Sequence, residues 1–346
     1  MDKIRAARYY SSSEIRIEEV PLPAVKKGEL KVKVKACGIC GSDLTDWYME
    51  PRAPMFIGHE PAGVVVETGE GVRDFQVGDR VFVHHHVPCF VCHYCSRGYY
   101  TLCKTFKETA IYPGGFAEYI IAPELNVEKD TLKLPDHISF EEATLIEPVG
   151  CCIRGIERAN VRRGDTVVVF GAGFMGLAHV QLARLYGATR IITVDCVDYR
   201  LKKAEELGSD HVINFKKESV KERIKDLNEG RGADIVIVSA GKLEALQEGM
   251  EIAEKGGTVY LYAPFPPGTM FPFDLYRFFF NEISFVTSYS ASPFDTRAAL
   301  ELMRSRRIDA GKLVTHRFPL DQVGEAFQLA RKAKESLKIV VEMNGE

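Results

Sequence analysis

Thr166-Val167-Val168-Val169-Phe170-Gly171-Ala172-Gly173-Phe174-Met175-Gly176 carries the architecture of this chain in eleven residues. A short apolar run rich in valine predicts a strand buried on both faces. Three glycines follow in the spacing Gly-x-Gly-x2-Gly, and a helical pattern through Leu177, Val180, Leu182 and Leu185 ends at Gly187. A second apolar run at 190–194 closes on Asp195, nineteen residues past Gly176. Glycines alone are a weak signal. Strand, glycine turn, helix, strand and acidic residue in that order make a dinucleotide fingerprint. Gly171 would allow the tight turn, Gly173 would admit a pyrophosphate to the backbone, and Gly176 would let helix pack on strand. Phe174 and Met175 belong to the same cofactor loop, at the helix N-terminus where a pyrophosphate is favoured. Asp195 would accept from the adenosine ribose hydroxyls and repel a 2′-phosphate, so NAD is expected over NADP. Arg200, five residues further, would stack on or flank the adenosine, although an arginine there also suits a phosphate.

Outward from this stretch the alternation continues. A helical segment at 200–207 stops at Gly208, and strands are expected at 211–214, 234–238 and 258–261, with helices between. Such β-α-β alternation predicts an open, mostly parallel, doubly wound sheet covered on both faces. Towards the N-terminus the rhythm differs. Lys31 to Ala36 alternates polar and apolar, 63–67 and 80–83 are short strands, and Gly69, Gly71, Gly78 and Asp79 mark turns, which predicts a β-rich, barrel-like domain. After about Ser290 come two helical segments, the second with Val323, Ala326, Phe327 and Ala330 on one face, and a closing strand at 338–342. This tail is too short to stand alone and should rejoin the N-terminal domain. The expectation is an α/β chain divided as 1–148, 149–290 and a return segment 291–346, consistent with a length of 346 residues.

Composition narrows the function. A net charge of −3 gives no electrostatic footprint for nucleic acid. The first residues lack an apolar signal segment, and no apolar run approaches the roughly 18 residues of a membrane span. A cytoplasmic protein without a membrane partner is expected.

Nine cysteines are many for such a compartment. Cys89, Cys92, Cys95 and Cys103 fall in the spacing Cys-x2-Cys-x2-Cys-x7-Cys. Four thiolates suit tetrahedral zinc and leave no position for a substrate, so this reads as a structural zinc lobe. Free cysteines in a loop, a disulfide pair and an iron–sulfur cluster are the competing readings. His84-His85-His86, just upstream, looks like a metal tract but reads as strand and loop packing. A different set stands at Gly58-His59-Glu60, about twenty residues past Cys40: a cysteine, a histidine and a carboxylate are also a zinc ligand set.

These motifs together resemble the zinc-containing medium-chain alcohol dehydrogenases. The likeness covers the whole chain and rests on Gly38-Ile39-Cys40-Gly41-Ser42-Asp43, Gly58-His59-Glu60-x2-Gly63-x5-Gly69-x2-Val72, the four-cysteine lobe, Glu147-Pro148-Val149-Gly150 and the Gly171 fingerprint. The sorbitol (polyol) dehydrogenases and L-threonine 3-dehydrogenases look nearest. The resemblance implies a GroES-like catalytic domain beside a Rossmann domain, and two zinc ions per chain, one catalytic and one structural. Cys40 and His59 would hold the catalytic zinc, with Glu60 and Glu147 as exchangeable partners and Asp43 supporting His59 from behind. Ser42 would take the hydroxyl proton. Thr45 stands where many relatives have a histidine, so the proton route to solvent is expected to differ. Ala240, Ala263 and Ser288 are expected near the nicotinamide. The implied reaction moves a hydride from a secondary alcohol (a polyol, sugar alcohol or cyclitol) to NAD, giving a ketone. L-Threonine at its 3-hydroxyl is the alternative substrate, and a non-catalytic nucleotide-binding or structural relative the alternative class. Family analogy favours a homotetramer, with a dimer as the other possibility.

Overall fold

The computed structural model describes residues 3–343. The chain begins with eight strands: β1 (Lys3–Ser11), β2 (Glu14–Pro21), β3 (Leu30–Gly38), β4 (Met55–Phe56), β5 (Pro61–Thr68), β6 (Arg80–Val83), β7 (Tyr119–Ala122) and β8 (Thr131–Lys133). Six strands alternate with helices next: β9 (Thr166–Phe170), β10 (Arg190–Asp195), β11 (His211–Asn214), β12 (Ala233–Val238), β13 (Ala253–Leu261) and β14 (Ser284–Thr287). The chain closes with β15 (Val314–Pro319) and β16 (Lys338–Glu342).

Two units result, one of residues 1–150, 290–306 and 310–346, the other of 151–289 and 307–309. The first division falls inside the helix Ile146–Ala159, two residues past the boundary expected from sequence. Pro148 is accommodated because it lies in the first turn, where its missing N–H has no helical partner to lose. The return segment rejoins the first unit, apart from residues 307–309.

In the first unit, among the described residues, seven strands form one sheet, with the path β15-β16-β3-β5-β6-β8 and β7 paired to β3. β3 shows why: Leu30, Val32, Val34 and Ala36 are buried while Lys31, Lys33 and Lys35 keep partial access to water. Tyr9, Val65, Phe116 and Phe327 join Leu30, Val32 and Val34 in a single core.

The second unit has a six-stranded parallel sheet in the order β11-β10-β9-β12-β13-β14. Every residue of β9 is buried, as a strand covered on both faces requires. The order reverses direction between β9 and β12, which creates a crevice at the carboxyl ends of these strands.

Candidate metal centre and dinucleotide site

Strand register builds the first cluster. β3 and β5 run antiparallel with Cys37 opposite Pro61, so Cys40, just past β3, and His59-Glu60, just before β5, emerge at the same end. β16 runs antiparallel to β3 on its other side with Val340 opposite Gly38, which brings Lys338 to that end as well. The donor atoms of Cys40, His59 and Glu60 lie within 4.8 Å of one another. Asp43 is buried and stands behind them. Its Oδ1 is 3.4 Å from Nδ1 of His59, and its Oδ2 accepts the Cys40 N–H at 3.1 Å. One carboxylate thereby fixes the turn that carries Cys40 and orients the His59 ring, leaving Nε2 for another partner.

Charge explains what this cluster attracts. Burial opposes a proton on His59, yet the Asp43 carboxylate and then Cys40 hold its pKa well above the ordinary value. Burial raises the pKa of Glu60, partly offset by Lys338. A thiol, an imidazole and a carboxylate in a negative field fit a divalent, borderline-soft cation. The buried Glu60 carboxylate is ion-paired with the Lys338 ammonium. Glu147, buried in the first turn of its helix, lies close enough for its charge to act on both Glu60 and Lys338, but it is not within the 4.8 Å cluster.

Ser42 is half-buried and opens the turn after Cys40. Thr45 donates its hydroxyl to the Gly41 carbonyl at 2.9 Å, so that group serves the turn. Trp47 is half-buried, edge-on to Tyr48 at 5.9 Å. The histidine tract divides three ways. His84 is wholly buried with Nδ1 2.6 Å from Asp130, and His86 meets the Thr109 carbonyl. The His85 ring stands 4.8 Å from that of His59, with its Nδ1 buried and unpartnered. Reading the tract as packing accounts for His84 and His86 and overlooks the placement of His85. Lys338 was likewise not singled out in the sequence. Its only signal is a lysine opening an otherwise apolar terminal strand.

The four-cysteine lobe is compact. Cys92 and Cys95 have sulfurs 3.6 Å apart, as do Cys89 and Cys103, and all four are free thiols. Sulfurs at ~2.3 Å from one zinc lie about 3.8 Å apart, whereas a disulfide needs about 2.05 Å. Burial lifts the Cys95 thiol to about 12. At Cys103 burial also pushes up, but the N–H groups of Cys89 and Phe106 bring the thiol down to about 6. His93 is exposed. Cys37, Cys151 and Cys152 are buried, and Cys196 is half-buried.

In the second unit the glycine loop leaves β9 with Gly171 at φ +97°, a conformation that side chains disfavour. Phe174 and Met175 open the helix Phe174–Tyr186, for which Gly173 is the N-cap. Asp195 is largely buried. It accepts the Ala172 N–H at 2.7 Å on one oxygen, and the Cys196 and Val197 N–H groups at 2.7 and 2.9 Å on the other. These bonds tie the glycine loop to the end of β10, and a carboxylate keeps acceptor capacity beyond three. Arg200 reaches to the side of Gly173. Ala240 donates to the Phe170 carbonyl at 3.1 Å, Ala263 donates to that of Val238 at 3.1 Å, and Ser288 shares a 2.5 Å hydrogen bond with the Tyr260 hydroxyl. Asp195, Ala240, Ala263 and Ser288 thus all lie at the carboxyl edge of the sheet.

A β-sheet unit with a Cys-His-Glu cluster, joined to a parallel sheet with a glycine loop at its switch point, defines a zinc-type oxidoreductase. The alcohol dehydrogenase GroES-like domain matches residues 26–136, and the zinc-binding dehydrogenase domain matches residues 175–305. The chain belongs to the zinc-containing medium-chain alcohol dehydrogenase family. A sorbitol dehydrogenase from Halalkalibacterium halodurans is 35% identical over 340 residues, covering 96% of each chain. An L-threonine 3-dehydrogenase from Pyrococcus furiosus is 33% identical, over 91% of this chain and 92% of its own. A solved structure described as a zinc-binding dehydrogenase from Sinorhizobium meliloti, bound to NADP, matches with a TM-score of 0.89 at 30% identity, covering 99% of this chain and all of that one.

Proposed function

We propose that the protein is an NAD-dependent zinc dehydrogenase that oxidises a secondary hydroxyl of a polyol, sugar alcohol or cyclitol to a ketone. The observation that carries this reading is the Cys40-His59-Glu60 cluster, with Glu147 close by, in a chain that also holds the Gly171 loop and Asp195. Zinc there would supply Lewis acidity, lowering the pKa of a substrate hydroxyl. Cys40 and His59 would bind it, with Glu60 and Glu147 as further partners. Ser42 would receive the hydroxyl proton. NAD would accept the hydride, held by the loop Gly171, Gly173, Phe174, Met175 and Gly176, by Asp195 and Arg200, and on the nicotinamide side by Ala240, Ala263 and Ser288. A second zinc would close the lobe through Cys89, Cys92, Cys95 and Cys103.

Two features favour a polyol. The sorbitol dehydrogenase likeness is one. The other is His85, whose unpartnered Nδ1 beside His59 would meet a second hydroxyl. L-Threonine is the second reading, favoured by the Pyrococcus furiosus relative. A non-catalytic role would need neither Cys40 nor His59. The test is turnover of polyols, cyclitols, simple secondary alcohols and L-threonine with NAD and with NADP. Activity on L-threonine alone would reverse the substrate order. Asp195→Gly should weaken NAD and improve NADP, and an unchanged preference would refute the ribose contact.

The reading places the enzyme in the cytoplasm as a homotetramer. No helix among the described residues is long and apolar enough to cross a membrane. Exposed apolar side chains gather in two places: Met270, Leu275, Tyr276, Phe279 and Phe280 near the edge strand β14, and Val91, Tyr94, Leu102 and Phe294 at the cysteine lobe. Two separate patches suit the two kinds of isologous contact that a dihedral tetramer needs. Sedimentation analysis would check it, and Phe279→Glu should lower the assembly state.

A further inference from the structure

Short-range bonds shape the segment that carries Cys40, Ser42 and Asp43. The Asp43 N–H donates to the Cys40 carbonyl at 3.2 Å, that of Leu44 to Gly41 at 3.2 Å, and that of Thr45 to Ser42 at 3.1 Å. Such bonds fix the curl of a turn but not where the turn stands. Asp43 ties its inner side to His59. The outer side is held from far along the chain. Arg331 lies in the last turn of the helix Val323–Lys332. Its Nη1 donates to the Leu44 carbonyl at 3.0 Å and to Asp46 Oδ1 at 2.7 Å.

That one nitrogen spans the junction between the turn Ser42–Leu44 and the short helix Asp46–Met49. Its charge strengthens both bonds. The helix behind it is anchored in turn, because Val323, Ala326 and Phe327 are buried in the core that also takes Leu44, Tyr48 and Met49. The wholly buried Tyr9 lies at the same place. Burial raises its hydroxyl pKa, and Arg331 is the foremost group opposing that rise. The Asp46 side chain is 53% exposed, so its ion pair adds little to stability. What the pair contributes is position. Ser42 lies two residues before Leu44, and a misplacement of about 1 Å at a reacting group can cost about 100-fold in rate.

We infer that Arg331 is a positioning residue for Ser42, whose hydroxyl stands where the grip of Arg331 on Leu44 and Asp46 sets it. The inference rests on the reading of Ser42 as acceptor of the alcohol's proton. It gives the return segment a task that no motif marks.

Trp47 is the only tryptophan and directly follows Asp46, so its fluorescence reports on this segment without metal or cofactor. The experiment uses the full chain. In Arg331→Met, quenching of Trp47 by acrylamide should rise about twofold or more. Turnover is read with NAD and the alcohol of the panel above that reacts fastest. There kcat should fall about tenfold or more, while KM and zinc content stay near native. Arg331→Lys keeps a cation within reach of Asp46 and should restore both readouts. In a Ser42→Ala background, Arg331→Met should cost little further kcat, because the hydroxyl it places is already gone. Either readout left at its native value in Arg331→Met overturns the inference. So does a loss of kcat that persists undiminished when Ser42 is absent. Should Arg331→Met fail to fold, Asp46→Ala decides, since its exposed side chain leaves the core intact. It should show both changes in smaller degree, and the kcat change only with Ser42 present. A Ser42→Ala chain with native kcat would instead refute the proton-acceptor reading, and the inference would fall with it.

Discussion

Gly176 packs so tightly against Gly171 that a Cβ on the former would overlap the carbonyl oxygen of the latter. Gly173, in the same loop, has open space, and its Cβ would meet only the Arg200 guanidinium at 3.9 Å. The two positions should therefore fail differently. Gly176→Ala should destabilise folding by roughly 1–3 kcal/mol, as overpacking does. Gly173→Ala should unfold at the native temperature yet bind dinucleotide at least tenfold more weakly. Thermal unfolding and NAD titration of both variants check this.

Asp43 supports His59 without being among the clustered donors. Asp43→Ala should weaken metal at the Cys40 site by about 10- to 100-fold, the usual cost of removing such a support. The lobe should be untouched. On the proposed two-zinc reading, Cys103→Ala should do the converse, removing the lobe metal alone and reducing thermal stability. Metal analysis after dialysis against a graded chelator series separates the two.

His179 lies wholly buried against the rings of Tyr260 and Tyr262, at 5.8 and 5.0 Å, with Nδ1 2.8 Å from the Met175 carbonyl. Burial pushes its pKa down to about 4. An unfolded chain protonates this group below about pH 6.5, while the folded chain does not until about pH 4. The unfolded state therefore binds more protons across that window, and stability present above pH 6.5 is lost as pH falls towards 4. The full effect is at most about 3.4 kcal/mol. The unfolding midpoint should drop between pH 7 and pH 5, and His179→Gln should flatten that dependence.

Asp130 carries two buried partners, His84 at 2.6 Å and the Thr296 hydroxyl at 2.8 Å. The second joins the start of the return segment to the lobe-bearing half of the same unit. Thr296→Val should cost roughly 1.5–3 kcal/mol, as loss of a hydrogen bond to a charged group does. Asp130→Ala should cost about 3–5 kcal/mol, because it strands buried polar groups. Urea unfolding followed by Trp47 fluorescence reads the unit concerned.

The parts of this molecule legible in the sequence are those encoded by neighbours. β9 with its glycine loop and the cysteine lobe each occupy one short span, and β11 and β16 begin and end where expected, because polar residues flank their apolar runs. No strand is expected from the sequence at β1, β2, β4, β7, β8, β14 or β15. β14 and β15 are half-buried, so no clean alternation marks them. Motif and resemblance could name Cys40, His59 and Glu60, but not Lys338. Its place depends on the register of β16 against β3, a pairing between distant segments that no local pattern records. Asp195 shows the reverse case. Its position was legible, whereas its three backbone bonds depend on where the glycine loop comes to rest.

β16 also follows every other described strand in the chain, so it leaves the ribosome after them. During synthesis Glu60 exists long before the lysine that neutralises it, and β3 waits with one edge open. The parallel sheet from β9 to β14, by contrast, is complete while the tail is still being made, and domains fold as units in the order they emerge. A stalled or truncated product would hold every proposed metal ligand and the whole second sheet, yet would lack a finished first unit. The first unit is therefore completed only once residues 338–342 have emerged, well after the second sheet has all of its strands.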